Sequence, residues 1–225
     1  MAIIIQPSLS TMSSAHCQAY RNASDLPAEF WSTLRKNEAA ANLILPFAKK
    51  ALASPPKAGD DQLWIILYDP TGKDVEFVLS CTRGLLGNYP IFVFTPKSSA
   101  QLAREEAEGK DIPNRLSQLA LRLLNEVPSD RVFSVFSVAY VAEKFARALQ
   151  EHGIQPHDEP YYDAIFTFCT AETLGRSPDN FTLKSEGLKI SLRLADTSHL
   201  DGVKDLCREF SLTSVSIIDT AYHAE

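Results

Sequence analysis

A few residue groups in this chain have types and spacings that suggest chemistry. His157-Asp158-Glu159 combines three metal-ligating or acid–base side chains in a row, framed by Pro156 and Pro160. Consecutive side chains do not converge easily on one ion, so the group reads more simply as a solvated loop. Ser134 and Ser137 could serve as nucleophiles if a His and an Asp were brought to them, but no G-x-S-x-G elbow surrounds either one. Asp69-Pro-Thr-Gly-Lys73 has the Gly-Lys of a phosphate loop without the second glycine and spacing that such a loop needs. His16 and Cys17 stand together but too far from further ligands to be read as a metal site. Cys17, Cys81, Cys169 and Cys207 are scattered with no C-x-x-C pair, the pattern of reduced thiols rather than of disulfides or metal ligands. No metal is expected.

The chain has 225 residues, 45% hydrophobic and 22% charged, with a net charge of −6. That is an ordinary globular composition, long enough for one domain and part of another. The acidic balance offers no field for phosphate backbones, so nucleic acid is not an expected partner. No apolar run approaches the roughly 20 residues that span a bilayer, and the start MAIIIQPSLSTMSS lacks the basic flank of a signal peptide. No membrane partner is expected, and the chain reads as cytoplasmic.

The elements that would position any site centre on Gln62 to Lys97. Three β-rich runs stand there: Leu63 to Tyr68, Val75 to Cys81 and Tyr89 to Thr95. Asp69 to Asp74 joins the first two, with Pro70 and Gly72 as turn residues. In the second run Val75, Phe77 and Leu79 are expected on one face and Glu76, Val78 and Ser80 on the other. The third is apolar on both faces and reads as central. Upstream, Ala2 to Ile5 reads as a short edge strand and the Ser/Thr-rich segment after it as loop. A helix is expected from Pro27, capped by Ser24 or Asp25, and a second over Asn37 to Leu52, interrupted at Pro46 and ended by Ser54-Pro55-Pro56. Downstream, one or two helical turns are expected over Gln101 to Glu108. A firm helix from Pro113-Asn114 carries Leu116, Leu119, Ala120, Leu123 and Leu124 as a stripe. Then follow a strand over Arg131 to Val138, a helix over Tyr140 to His152 and a strand over Tyr161 to Thr170. The expected class is α+β, an α/β three-layer arrangement with a mixed, mostly antiparallel central sheet flanked by helices.

The organisation expected is an N-terminal segment (1–25), a domain (26–173), a Gly/Ser/Pro-containing linker (174–187) and a strand–helix segment (188–225). In the last, Leu188 to Leu194 alternates as a strand, and His199 to Phe210 carries Leu200, Val203, Leu206, Cys207 and Phe210 on one side. An alternating strand left open invites pairing, in the extreme as a homodimer through 188–194.

The order helix, helix, strand, strand, strand, helix, strand, helix, strand over residues 26–172 resembles the GNAT superfamily of acyl-CoA N-acyltransferases. LKISLRLADTSHLDGVKDLCREF, from Leu188 to Phe210, is similar to the opening strand and helix of many such domains. The chain therefore looks like a degenerate N-terminal copy of a tandem protein followed by the start of a second copy.

The resemblance implies an acyl-CoA cofactor such as acetyl-CoA and a small-molecule amine as acceptor. Main-chain groups of Val93, Phe94 and Thr95 would bond the pantetheine where their strand splays from the next. The diphosphate would sit at the start of the helix near Asn114 and Arg115. Tyr140 would lie near the cleft as a general acid, or as a core or rim aromatic. Glu76 or Asp74 would be the general base if burial raised it, or else a solvent-facing strand carboxylate. The family's [QR]-x-x-G-x-[GA] turn has no counterpart between Pro96 and Asn114, and Leu149 stands where a helix Tyr is usual. These departures favour an alternative in which the fold persists as a non-catalytic interaction or scaffolding module.

Overall fold

The computed structural model describes residues 16–53, 61–84, 87–157, 180–183, 188–191 and 196–209. The chain divides into two units, Met1–Ile165 and Phe166–Glu225. The first is a mixed α/β unit with a mostly antiparallel open sheet flanked by helices. It begins with β1 (Cys17–Tyr20), then α1 (Ala28–Lys36), α2 (Leu45–Ala53), β2 (Gln62–Tyr68), β3 (Val75–Gly84), the two-residue β4 (Gly87–Asn88) and β5 (Ile91–Phe94). It continues with α3 (Ser99–Ala107), α4 (Ile112–Glu126), β6 (Val135–Phe136) and α5 (Ala139–Glu151).

The strand order among the described residues is β1-β2-β3-β5-β6, with β4 a short extension on β3. Every pairing is antiparallel except β5 with β6, which is parallel. β5 lies between β3 and β6, which is why all four of its residues are buried and its sequence is apolar on both faces. One sheet face carries Leu63, Ile65, Leu67, Phe77, Leu79 and Val93 against α3, α4 and α5. The other carries Trp64, Ile66, Val78, Phe92 and Phe94 against α1, α2 and the turn between them. Helices therefore cover both faces, giving three layers.

Several elements differ from the sequence reading for physical reasons. Cys17–Tyr20 is a strand rather than loop, because the side chains of Cys17 and Ala19 pack on the apolar face that β2 exposes at its outer edge. The first helix is preceded by a 3-10 turn over Ala23–Asp25, and its N-cap is Pro27 rather than Ser24 or Asp25. Residues 37–44 are turn, not helix, and Pro46 sits in the first turn of α2, where its missing N–H costs nothing. The strand expected over Arg131 to Val138 shrinks to Val135–Phe136, because Ser129–Arg131 forms a 3-10 turn and Val138 already caps α5. The expected strands Ala2 to Ile5 and Tyr161 to Thr170, and the stop at Ser54-Pro55-Pro56, lie outside the described residues.

A β-bulge changes the faces of β3. Leu67 pairs with Phe77 but Tyr68 pairs with Val75, so Glu76 is the extra residue. Val75 consequently joins Val78 in the α1/α2 core, against the simple alternation. Glu76 turns to the α4 side, the same side as Phe77.

In the second unit, β7 (Asn180–Leu183) and β8 (Leu188–Ser191) pair antiparallel, Leu183 with Leu188 and Asn180 with Ser191. The segment read as linker thus contributes a strand, and one edge of the strand at 188 is already paired within the chain. A 3-10 turn at Thr197–His199, capped by Asp196, leads into α6 over residues 200–209.

Candidate functional site

β5 and β6 pair over only two positions, Ile91 with Val135 and Phe92 with Phe136, and the Ile91 N–H donates to Ser134 O at 2.9 Å. Past Phe136 the chain turns into α5 while β5 runs on to Phe94. Ser137 Oγ crosses the opening and donates to Val93 O at 2.7 Å. Phe94 still pairs with Val78 of β3. The Thr95 side chain is buried, and its Oγ1 accepts the Lys97 N–H at 3.3 Å. A wedge at the carboxyl end of a parallel strand pair is a common place for a ligand in α/β sheets.

Charged side chains surround this end of the sheet. Arg115 is 9% exposed and Glu76 5%, and Arg115 Nε donates to Glu76 Oε2 at 2.9 Å. The same guanidinium donates through Nη2 to Tyr68 O, and through Nη1 to Gln118 Oε1 at 3.2 Å. The bulge accounts for both contacts. It frees the Tyr68 carbonyl from regular pairing and aims Glu76 at α4, and one guanidinium satisfies both. Lys97 Nζ lies 3.6 Å from Glu76 Oε1 and 2.6 Å from Glu105 Oε2. Lys110 meets the other Glu105 oxygen at 3.1 Å. Desolvation pushes the Glu105 carboxyl upward, but the hydrogen bonds and charges of Lys97 and Lys110 outweigh it and hold the group below its ordinary value.

The first turn of α5 presents Tyr140, whose hydroxyl donates to Glu106 Oε2 of α3. Lys144 donates to Glu106 Oε1 at 2.8 Å. Burial, reinforced by the Glu106 carboxylate, pushes the Tyr140 hydroxyl up to about 12. Glu106 is held below the carboxylate range, chiefly by Lys144 and then by Tyr140. A phenol bonded to a carboxylate and raised this far keeps its proton at neutral pH.

The eight acyl-transfer candidates therefore fall into separate groups, with Asp74 held in the β2–β3 turn, where its N–H donates to Asp69 Oδ1 at 3.1 Å. Val93, Phe94 and Thr95 line one side of the wedge. Tyr140 is near its mouth but engaged with Glu106. Glu76 and Arg115 come together as a buried ion pair, so Glu76 does not face solvent and Arg115 does not face the start of α4. Asn114 is exposed, and its N–H donates to Asp111 Oδ1 at 3.2 Å. Asp111 is the N-cap of α4, and Pro113 follows in the first turn. The helix end that would hold a diphosphate thus carries its own carboxylate and lacks one amide donor. These residues do not fit a CoA diphosphate.

Sequence reasoning missed the bond from Ser137 to Val93 and the link from Glu106 to Lys144. Both depend on how α3 and α5 meet the sheet, which no local pattern encodes. Asp158 and Glu159 of the acidic loop lie outside the described residues, and among those described no cluster of three metal-ligating side chains occurs. No helix among the described residues is long and apolar enough to cross a membrane. A scan of family models finds no match to this chain, and no curated protein or solved structure is significantly similar to it.

Proposed function

We propose that this chain is a GNAT-type domain serving acyl-CoA-dependent N-acyl transfer to a small-molecule amine, in a non-catalytic, supporting capacity. The fold side of the reading rests on the strand sequence: an antiparallel meander ending in β5, then one parallel neighbour that diverges after two pairs. The supporting capacity rests on one observation, the α4 N-terminus capped by Asp111 and followed by Pro113. A carboxylate at that position repels a diphosphate and takes up one of the amides it would need. Arg115, the nearest strong cation on α4, is held by Glu76 and Tyr68 O instead. The free thiols Cys17, Cys81 and Cys207 suit a reducing compartment, which makes the cytoplasm the proposed location.

Catalysis by this chain itself is the second reading, and the diverging β5 and β6 favour it. Calorimetric titration with acetyl-CoA separates the two. The supporting reading expects no saturable heat at high-micromolar cofactor. A saturable isotherm would establish that the wedge binds acyl-CoA despite the closed helix end, and would leave the second reading standing.

A further inference from the structure

Four buried polar atoms without a hydrogen-bond partner lie in one row on the α1/α2 face of the sheet: Gln62 Oε1, Trp64 Nε1, Ser80 Oγ and Thr82 Oγ1. The register makes them neighbours, because Gln62 pairs with Thr82 and Trp64 with Ser80. Trp64 is 0% exposed, Ser80 1% and Thr82 6%. The row continues into β5, where Ser80 pairs with Phe92. Phe92 belongs to a ring cluster with Phe47 of α2 at 6.3 Å and Phe136 of β6 at 5.9 Å, and Phe47 meets Tyr89 at 4.9 Å. A buried donor or acceptor left unpaired loses its hydration without compensation, so four in adjacent positions need an explanation beyond packing.

We propose that this row and the rings beside it form a binding site for a flat, uncharged aromatic molecule carrying both a hydrogen-bond acceptor and a donor. The indole N–H requires an acceptor, the Gln62 oxygen requires a donor, and the two hydroxyls serve either. None of the four side chains is ionisable, which sets the charge of the ligand. Arg131 directs Nη2 to the backbone oxygen of Thr82 at 2.8 Å and stacks over Phe133, and its Nη1 is a further buried donor without a partner, so the benzoate comparison tests whether this charge takes part. Phe47, Tyr89, Phe92 and Phe136 supply the apolar walls, and Phe47 and Tyr89 are the half-buried rings that move to admit the ligand. The site runs from β2 and β3 to Phe92 and Phe136, the last pair before the wedge opens, and does not rest on the acyl-transfer reading.

Benzamide is the probe, with toluene and benzoate as the apolar and charged comparisons. The readout is the indole N–H resonance of Trp64, assigned in a Trp31→Phe variant because the chain has 2 tryptophans. Benzamide is expected to shift that resonance saturably and to raise the melting temperature. Toluene and benzoate should bind at least about 10-fold more weakly, since a site with buried polar groups rejects a ligand that leaves them unpaired. Ser80→Ala and Thr82→Val should each weaken benzamide by about 10-fold while leaving the free protein as stable as before or more so. A silent Trp64 resonance overturns the proposal, as does tighter binding of benzoate. Loss of stability in both variants with no benzamide response means that the row holds ordered water only, and also overturns it.

Discussion

The buried pair of Glu76 and Arg115 ties β3 to α4 by charge. Its value lies mainly in how badly the fold tolerates losing half of it. Arg115→Ala leaves a carboxylate in the core with Lys97 at 3.6 Å as its remaining cation, and leaves the Tyr68 carbonyl without its donor. The expected loss is about 3–5 kcal/mol by urea denaturation. Replacing both partners with methionine should recover most of that loss, because no uncompensated charge remains. Both residues are candidates by sequence, but their pairing is not legible from it. Glu76 looked solvent-facing because alternation from Val75 puts it outside, and only the bulge reverses that. Tyr140 carries a pH prediction. An unfolded tyrosine ionises near pH 10, whereas folded Tyr140 holds its proton to about 12. Between those values the unfolded chain releases a proton that the folded chain keeps. The Tyr140 contribution is therefore intact below about pH 10 and is lost as the pH rises through about 12. Tyr140→Phe should flatten that part of the stability–pH curve relative to the parent chain. Cysteine reactivity follows the same logic. Burial pushes the Cys17 thiol up to about 11 and raises Cys81 as well. Both should resist iodoacetamide at about pH 8 in the folded state and react after denaturation.

At the scale of the element, the turn from β2 to β3 was readable in full and β1 was not. Asp69, Gly72 and Asp74 are turn residues by type, and the structure uses each. Asp69 Oδ1 accepts the Lys73 and Asp74 N–H groups at 2.9 and 3.1 Å, and Gly72 adopts φ +74°. A Cβ at Gly72 would also sit 3.1 Å from the His16 ring. Gly72→Ala should therefore cost roughly 1–3 kcal/mol from backbone strain. Adding His16→Ala should return only the steric part, which thermal denaturation of the single and double variants will separate. His16 leads into β1, a strand with almost no pattern of its own. Cys-Gln-Ala-Tyr is too short and too mixed to announce itself, and it is a strand because β2 offers it an edge. β6 fails in the opposite direction. RVFSVFSV alternates over eight residues, yet only Val135 and Phe136 pair, because a 3-10 turn takes one end and the cap of α5 the other. The helices were clearer: the leucine stripe of α4 lies in the core where its spacing put it.

For the whole molecule, the three-layer class was legible because the apolar pattern of three strands and two helices suffices for it. The state of the candidate site was legible only in part. The lack of a [QR]-x-x-G-x-[GA] turn between Pro96 and Asn114, where Gly109 is the one glycine, could be read directly, whereas the capping of α4 by Asp111 and the inward turn of Arg115 are tertiary facts. The expected separation into a linker and a lone strand also missed a hairpin, since Asn180–Leu183 lies in a stretch whose composition suggests a loop.

The central position of β5 also governs the order in which the fold can assemble. Its antiparallel neighbour β3 reaches it through short connections, and β2 closes on β3 across a tight turn. Its parallel neighbour β6 reaches it only after the chain has passed through all of α3 and α4. Loop-closure entropy makes the meander cheap and the parallel pairing late. The rate-limiting ensemble should therefore contain β2, β3 and β5 already paired, with β6 still unattached. Chevron analysis tests this with two variants: Ile65→Val, in the middle of the meander, should slow folding, whereas Val135→Ala should mainly speed unfolding. The reverse pattern would mean that the wedge forms first and the meander completes around it.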